Sequence, residues 1–166
     1  GAGTYVGRAK LDALLELIEE LGDAQLVIWA EFRHEIDKIL ATLIGMDKPV
    51  RKIDGSVGMD DRAETVRGFQ AGEVRYLVAH PAAAGHGITL TAARHDCWYS
   101  LGWIPENHDQ GRKRVHRVGQ TWPVQHHYLI AKGTVDERVL AVLRRKSTAS
   151  EAVKALLGRE LVAAAA

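Results

Sequence analysis

Cysteine is nearly missing from this chain: Cys97 stands alone among 166 residues. A single thiol excludes an internal disulfide and any zinc site built from several cysteines. Within the apolar run DCWYSLGW it reads as a buried, inert side chain. Long apolar runs are missing too, none approaching the roughly 20 residues that a bilayer span requires. The opening GAGTYVGRAK contains no signal-peptide stretch, so no membrane partner is expected and the default location is cytoplasmic. Neither sign of charge dominates, since 22 Lys and Arg face 21 Asp and Glu, and a net charge of +1 points to no partner by itself.

Several chemistries are absent as well. No G-x-x-x-x-G-K-[ST] loop is present to cradle a triphosphate, and no D-E-x-H pair follows a strand to hold Mg²⁺. Gly85-His86-Gly87 is followed by Ile88, Thr89 and Leu90, which fails the G-x-G-x-x-G dinucleotide fingerprint. None of the eight histidines falls in H-E-x-x-H, and His126 and His127 point to opposite faces if their segment is a strand. Because a zinc site needs three or four convergent ligands, no metal is expected.

What is present is an alternation of helix-period and strand-like segments, with neither an internal repeat nor a Pro/Ser-rich linker, in a length that suits one domain. Leu11, Leu14, Leu15, Ile18 and Leu21 share a helical face that Gly22 closes. QLVIWA (25–30), VRKIDG (50–55), RYLVAH (75–80), CWYSLG (97–102) and HHYLIA (126–131) read as strands. Between them, one helix carries Phe32, Ile36, Ile39, Leu40 and Leu43 and ends near Gly45. A second runs from Met59 to Ala71 with Ala63, Val66 and Phe69 inward, and a third from Asp109 to Val118. Thr134 and Glu137 form a capping box for a helix bearing Val135, Val139, Val142 and Leu143, and a last helix is expected around 151–157. The four alanines 163–166 have no apolar face to dock and are expected to fray, leaving 1–162 as the domain. The pattern implies an α/β fold with a mostly parallel central sheet flanked by helices. Function then gathers beyond the carboxyl ends of the strands, at Ala30-Glu31-Phe32, Asp54-Gly55-Ser56, His80-Pro81-Ala82 and Leu101-Gly102-Trp103.

Two segments could carry chemistry. HPAAAGHGITLTAA (80–93) is either a tight turn or a place where backbone approaches a ligand. In DQGRKRVHRVGQ (109–120), Gln110, Arg114 and Arg117 fall at i, i+4 and i+7, on one face if the helix continues. That face, like Arg144-Arg145-Lys146 further on, is either a solvated basic surface or a phosphate grip built on forked guanidinium donors.

Taken together, QLVIWAEF, IDGSVGMDDRAETVRGFQ with its Arg62, HPAAAGHGITLTAA, QGRKRVHRVGQ and LIAKGTVDERVL resemble, in order and spacing, the motifs of the second motor lobe of Swi/Snf-type superfamily-two helicases. The resemblance covers nearly the whole chain. Lys113 stands where the family has aspartate and Thr89 where it has asparagine, and the HPAAAGHG wording is most similar to phage- or prophage-encoded members, hence a bacterial or phage-infected cell.

The resemblance implies a RecA-like three-layer lobe, with ATP and Mg²⁺ bound mainly by a first lobe of the same polypeptide. Arg117, followed by Arg114, would act as arginine fingers, with Gly85, Gly87 and Gln110 near the nucleotide. On another edge, the amides of Ala30 and Glu31, together with Gly55, Ser56, Arg62, His80 and Ala82, would grip DNA phosphates without reading sequence. Trp103 matches a family tryptophan that lies against DNA and is otherwise a core or lid aromatic. A duplex substrate follows from the resemblance alone, with RNA as an alternative. The isolated lobe, having no phosphate cradle, is expected to hydrolyse no ATP. The competing readings are a nucleic-acid-binding module that has lost motor activity and a dinucleotide-binding protein, the latter opposed by the failed fingerprint.

Overall fold

The computed structural model describes residues 2–84, 87–146 and 160–163. The strands are β1 (Leu26–Trp29), β2 (Val50–Ile53), β3 (Tyr76–Ala79), β4 (His95–Trp98) and β5 (Gln125–Ala131), with β1 and β3 continuous apolar runs and the others carrying polar residues. With β6 (Glu160–Ala163) they make a sheet of order β2-β3-β1-β4-β5-β6, and every pairing is parallel. Parallel strands need long crossovers. α1 (Ala2–Leu21) precedes β1, and the crossovers hold α2 (Arg33–Gly45), α3 (Met59–Gln70), α4 (Pro105–Val115) and α5 (Val135–Lys146), while the passage from β3 to β4 has no described helix.

Because side chains alternate along a strand, the sheet has two apolar faces. Leu26, Ile28, Val78, Cys97 and Leu129 pack with Leu14 and Leu17 of α1 and Ile36, Ile39 and Leu43 of α2. Val27, Trp29, Leu77, Trp98, Tyr128 and Ile130 pack with Phe69 of α3, Val115 of α4 and Val139 and Leu143 of α5. The result is the expected three-layer α/β arrangement, wholly rather than mostly parallel.

Several expectations need correcting. β4 begins two residues early, at His95, and stops at Trp98, so Tyr99 to Gly102 form its exit loop. α4 begins at Pro105, suited to a first turn where no amide partner is needed, and ends at Val115. Arg117 therefore lies outside the helix, and the shared face with Gln110 and Arg114 does not exist. Phe32 precedes α2 and is exposed, as are Ala63 and Val135, since Thr65 and Gly68 take the inward turn of α3 and Leu140 that of α5. The Thr134 hydroxyl accepts the Asp136 amide at 3.3 Å rather than that of Glu137. Ala163, placed in a frayed tail, pairs with Ala131 through β6. The helix read at 151–157 and residues 164–166 lie outside the described residues.

Two buried polar contacts fix the layers. Lys10 of α1 reaches Asp136 of α5 at 2.5 Å, and the same carboxylate accepts the Ala131 amide at 3.2 Å. Between β4 and β5, Asp96 takes His126 Nδ1 at 2.7 Å and the Trp29 indole N–H at 3.3 Å. Above that pair α4 comes very close to the sheet. An added Cβ at Gly111 would stand 2.7 Å from Trp98 Cη2, and Trp98 is itself held by stacking on Trp29 at 5.6 Å and contact with His108 at 4.4 Å. Gly111→Ala should therefore destabilise by about 1–3 kcal/mol through overpacking. That outcome opposes the gain of roughly 1 kcal/mol that alanine gives in an unconstrained helix. Urea unfolding measures it, and a variant as stable as the wild type would show that α4 is not seated on Trp98.

Candidate functional site at the two edges of the sheet

In a parallel sheet every strand ends on the same edge, and here Ile53, Ala79, Trp29, Trp98 and Tyr128 are in register. The loops that leave this edge are laced together. The Ala30 amide donates to the Ala79 carbonyl at 3.0 Å, the His80 amide to Ile53 at 3.1 Å, and the Tyr99 amide to Trp29 at 2.8 Å. The Glu31 amide donates to Ser100 Oγ at 2.7 Å, and that hydroxyl donates onward to the Glu35 carboxylate. The amides of Ala30 and Glu31, expected to face phosphate, are thus engaged within the lobe.

The other carboxyl-edge residues are more varied. Asp54 accepts both the Ser56 amide, at 2.8 Å, and the Ser56 hydroxyl, at 2.5 Å, while Lys52 lies 3.0 Å from its other oxygen. Burial alone would raise the Asp54 carboxyl, but these donors outweigh it and hold the carboxyl at about 2. Ser56 has then spent its donors on the turn, whereas Gly55 is exposed with open space around it. His80 Nδ1 accepts the Ala82 amide at 3.1 Å, which puts the ring proton of the neutral form on Nε2, 3.6 Å from the Glu31 carboxylate. Trp103 is 54% exposed, which removes the core reading for it. The edge therefore presents Gly55, the His80–Glu31 pair and Trp103 to solvent, with the amide of Ala82 already used.

α4 crosses from this edge to the opposite, amino edge. There the Leu90 amide donates to the Arg114 carbonyl at 2.8 Å, and Arg117 Nη1 donates to the Ile88 carbonyl at 3.2 Å. The Gly87-to-Ala93 segment and the arginine segment are thereby one unit. Burial first, and then the neighbouring Arg117 charge, push the Arg114 guanidinium below its ordinary value, yet an arginine so placed stays charged. Arg114 Nε is buried with no hydrogen-bond partner among the described residues, whereas Arg117 is exposed. Gln110 is half-buried on α4, one turn before Arg114. Gly85 lies outside the described residues.

The resemblance puts Arg62 with the DNA-facing residues. In the structure it shares a cleft of about 600 Å³ with Gly87, Ile88, Thr89, Met59 and Val66, and its Nε is buried and unpartnered among the described residues. The structure therefore brings Arg62, Gly87, Arg114 and Arg117 into one neighbourhood and leaves Gly55, Ser56, His80, Ala82 and Trp103 in another.

Sequence reasoning missed the layer beneath α4. His108 is buried, with Nε2 2.9 Å from the Tyr128 hydroxyl, and burial followed by the Arg112 charge depresses its pKa to about 3. Asp96 and His126, polar residues at the borders of the apolar runs CWYSLG and YLIA, were the available signal, whereas His108 in the polar PENHDQGR gave none.

Comparison with known proteins fits this geometry. The helicase conserved C-terminal domain family matches residues 9–119. The chain is 34% identical over 146 residues to the chromatin-remodeling ATPase INO80 of Mycosarcoma maydis, covering 87% of this chain and 8% of that protein. It is 35% identical over 143 residues to the mouse (Mus musculus) DNA annealing helicase and endonuclease ZRANB3, covering 84% and 13%. It is also 34% identical over 140 residues to the Xenopus tropicalis SWI/SNF-related matrix-associated actin-dependent regulator of chromatin subfamily A-like protein 1, covering 84% and 15%. Among solved structures, the C-terminal part of the Fun30 ATPase domain superposes with a TM-score of 0.75 at 26% identity, over 86% of this chain and 47% of that one. The chain thus spans a small fraction of the length of these curated relatives.

His108 gives a pH test of the support under α4. Its folded pKa lies below the ordinary 6.5, so between about 3 and 6.5 the unfolded chain binds more protons. The neutral imidazole's contribution is complete above pH 6.5 and is lost as pH falls, at about 1.4 kcal/mol per unit. Stability measured by urea from pH 7 to 5 should fall more steeply in the wild type than in His108→Phe; equal slopes would mean that His108 titrates freely. With the arginines and the Gly87 segment joined at one edge, the strand-end loops at the other, and these relatives in view, the chain belongs to the helicase conserved C-terminal domain family, as a second RecA-like lobe of the Swi/Snf type.

Proposed function

We propose that this lobe is the arginine-donating half of an ATP-driven DNA translocase and completes an ATP site held mainly by a first RecA-like lobe of the same polypeptide. One observation carries the reading: Arg114 and Arg117 meet at the amino edge, where among the described residues the exposed Arg117 side chain has one hydrogen bond, to Ile88, and the buried Arg114 Nε has none. Two guanidiniums held close together repel each other, and an anion between them and a facing lobe relieves that repulsion. Their forked donors fit phosphate oxygens, so the residues present suit a triphosphate. The nucleotide with Mg²⁺ would supply the transferable phosphoryl group.

In that arrangement Arg117 stabilises charge on the transferring group and Arg114 supports it. An arginine finger is worth about 10³–10⁵ in kcat, or roughly 4–7 kcal/mol, well beyond the ~1 kcal/mol of an exposed ion pair. Gly87 and Gln110, beside the arginines, would sense the closed state. Gly55, Ser56, His80, Ala82 and Trp103 form the surface proposed to meet DNA, without sequence preference and with strong salt dependence. The helicase named among the relatives favours a nucleic-acid track, and duplex DNA is the substrate proposed. Retention of both arginines favours a motor over a module that only binds nucleic acid, because binding alone needs no group aimed at a terminal phosphate.

Duplex-stimulated ATP hydrolysis by the full-length polypeptide tests this directly. Arg117→Ala should cut turnover by about 10³ or more while duplex affinity stays within a few-fold. Turnover close to wild type would refute the finger role. Absence of turnover in both proteins, with binding intact, would favour the non-enzymatic module.

A further inference from the structure

The residue that ends the arginine segment makes more contacts than its exposure suggests. Gln120 Nε2 donates to the carbonyls of Ala93 at 2.8 Å, Thr91 at 3.0 Å and Val115 at 3.3 Å, and Oε1 accepts the Trp122 amide at 3.3 Å. One carboxamide therefore joins the last turn of α4, the run into β4 and the start of the loop to β5. Its backbone matters as well, since the Gln120 amide donates to the Arg117 carbonyl at 2.9 Å. That bond closes a four-residue turn, Arg117-Val118-Gly119-Gln120, whose third residue has φ +101°, a conformation that favours glycine.

The strand-entry segment is a firm reference. Gln70, the last residue of α3, donates to Thr91 Oγ1 at 3.1 Å and accepts the Ala92 amide at 2.8 Å. The Arg117 side chain has one hydrogen bond among the described residues, to the Ile88 carbonyl, and Val118 beside it is 98% exposed. The direction of the Arg117 side chain is therefore set by the turn that carries it, and the turn is fixed at its far end by Gln120.

We infer that Gln120 is a positioning residue for Arg117: its carboxamide ties the arginine turn to the 91–93 carbonyls and so sets where the guanidinium points. The inference rests on the arginine reading proposed above. It requires a donor at the end of the side chain, because all three partners of Nε2 are acceptors. Glutamate, of the same shape, would place a carboxylate against three carbonyls, whereas a lysine ammonium offers three donors.

The test uses the full-length polypeptide with duplex DNA. Gln120→Glu should lower kcat for ATP at least tenfold, with KM for ATP and duplex affinity within about threefold of wild type. Gln120→Lys should recover kcat to within about threefold. Arg117→Ala combined with Gln120→Glu should be no slower than Arg117→Ala alone, because both changes remove one action. The inference is overturned if Gln120→Glu turns over like wild type, if the two changes multiply, or if Gln120→Lys is as slow as Gln120→Glu. A general loss of kcat, KM and duplex affinity together would mark Gln120 as merely structural and overturn it too. Arg117→Ala measured alongside separates the claims: if it turns over normally, the arginine reading fails, and if it is slow while Gln120→Glu is normal, only the role of Gln120 fails.

Discussion

The close approach of α4 to the sheet is the constraint on which the rest depends. Gly111 leaves no room for a side chain above Trp98, and His108, on the same helix, meets Tyr128 one strand further along. The helix is thereby fixed in depth by a glycine and in direction by a buried hydrogen bond. A buried imidazole kept neutral costs little in that role, whereas a charged one would have to be desolvated. Because α4 spans the sheet from one edge to the other, fixing it also fixes where Arg114 and the Arg117 turn emerge.

A parallel sheet then divides the labour. Its carboxyl edge carries the strand-exit loops, tied to one another by main-chain and Ser100 contacts, and its amino edge carries the arginines, tied to the Gly87 segment. The two surfaces are connected through α4 and through the Gly87-to-Ala93 passage, both packed on the same face. A small rotation of this lobe against a partner would move both together.

Much of this was legible in the residues. Continuous runs such as LVIW and YLVA are what strands covered on both faces require, and alternation with helix-period segments then implies a parallel sheet. The two arginines were visible because the spacing of R-V-H-R-V-G-Q is distinctive. Their geometry was not, because helical spacing continues on paper past Val115, whereas the positive φ of Gly119 and the bond from Gln120 to Arg117 replace the helix with a turn. The main-chain donors at Ala30 and Glu31 look free in the sequence because their partners, Ala79 and Ser100, come from other strand ends. The grouping of Arg62 with Gly87 was hidden for a similar reason: contacts between distant segments follow from strand order, which one sequence does not print.

The central claim is that Arg117 meets charge that develops only during phosphoryl transfer. Affinity of the full-length polypeptide for ADP with aluminium fluoride, a mimic of the transferring phosphoryl group, tests this most directly when compared with affinity for ADP alone. The account predicts that Arg117→Lys weakens binding of the mimic at least 100-fold while ADP affinity changes by no more than a few-fold. Equal loss for both ligands, or none for either, would contradict it.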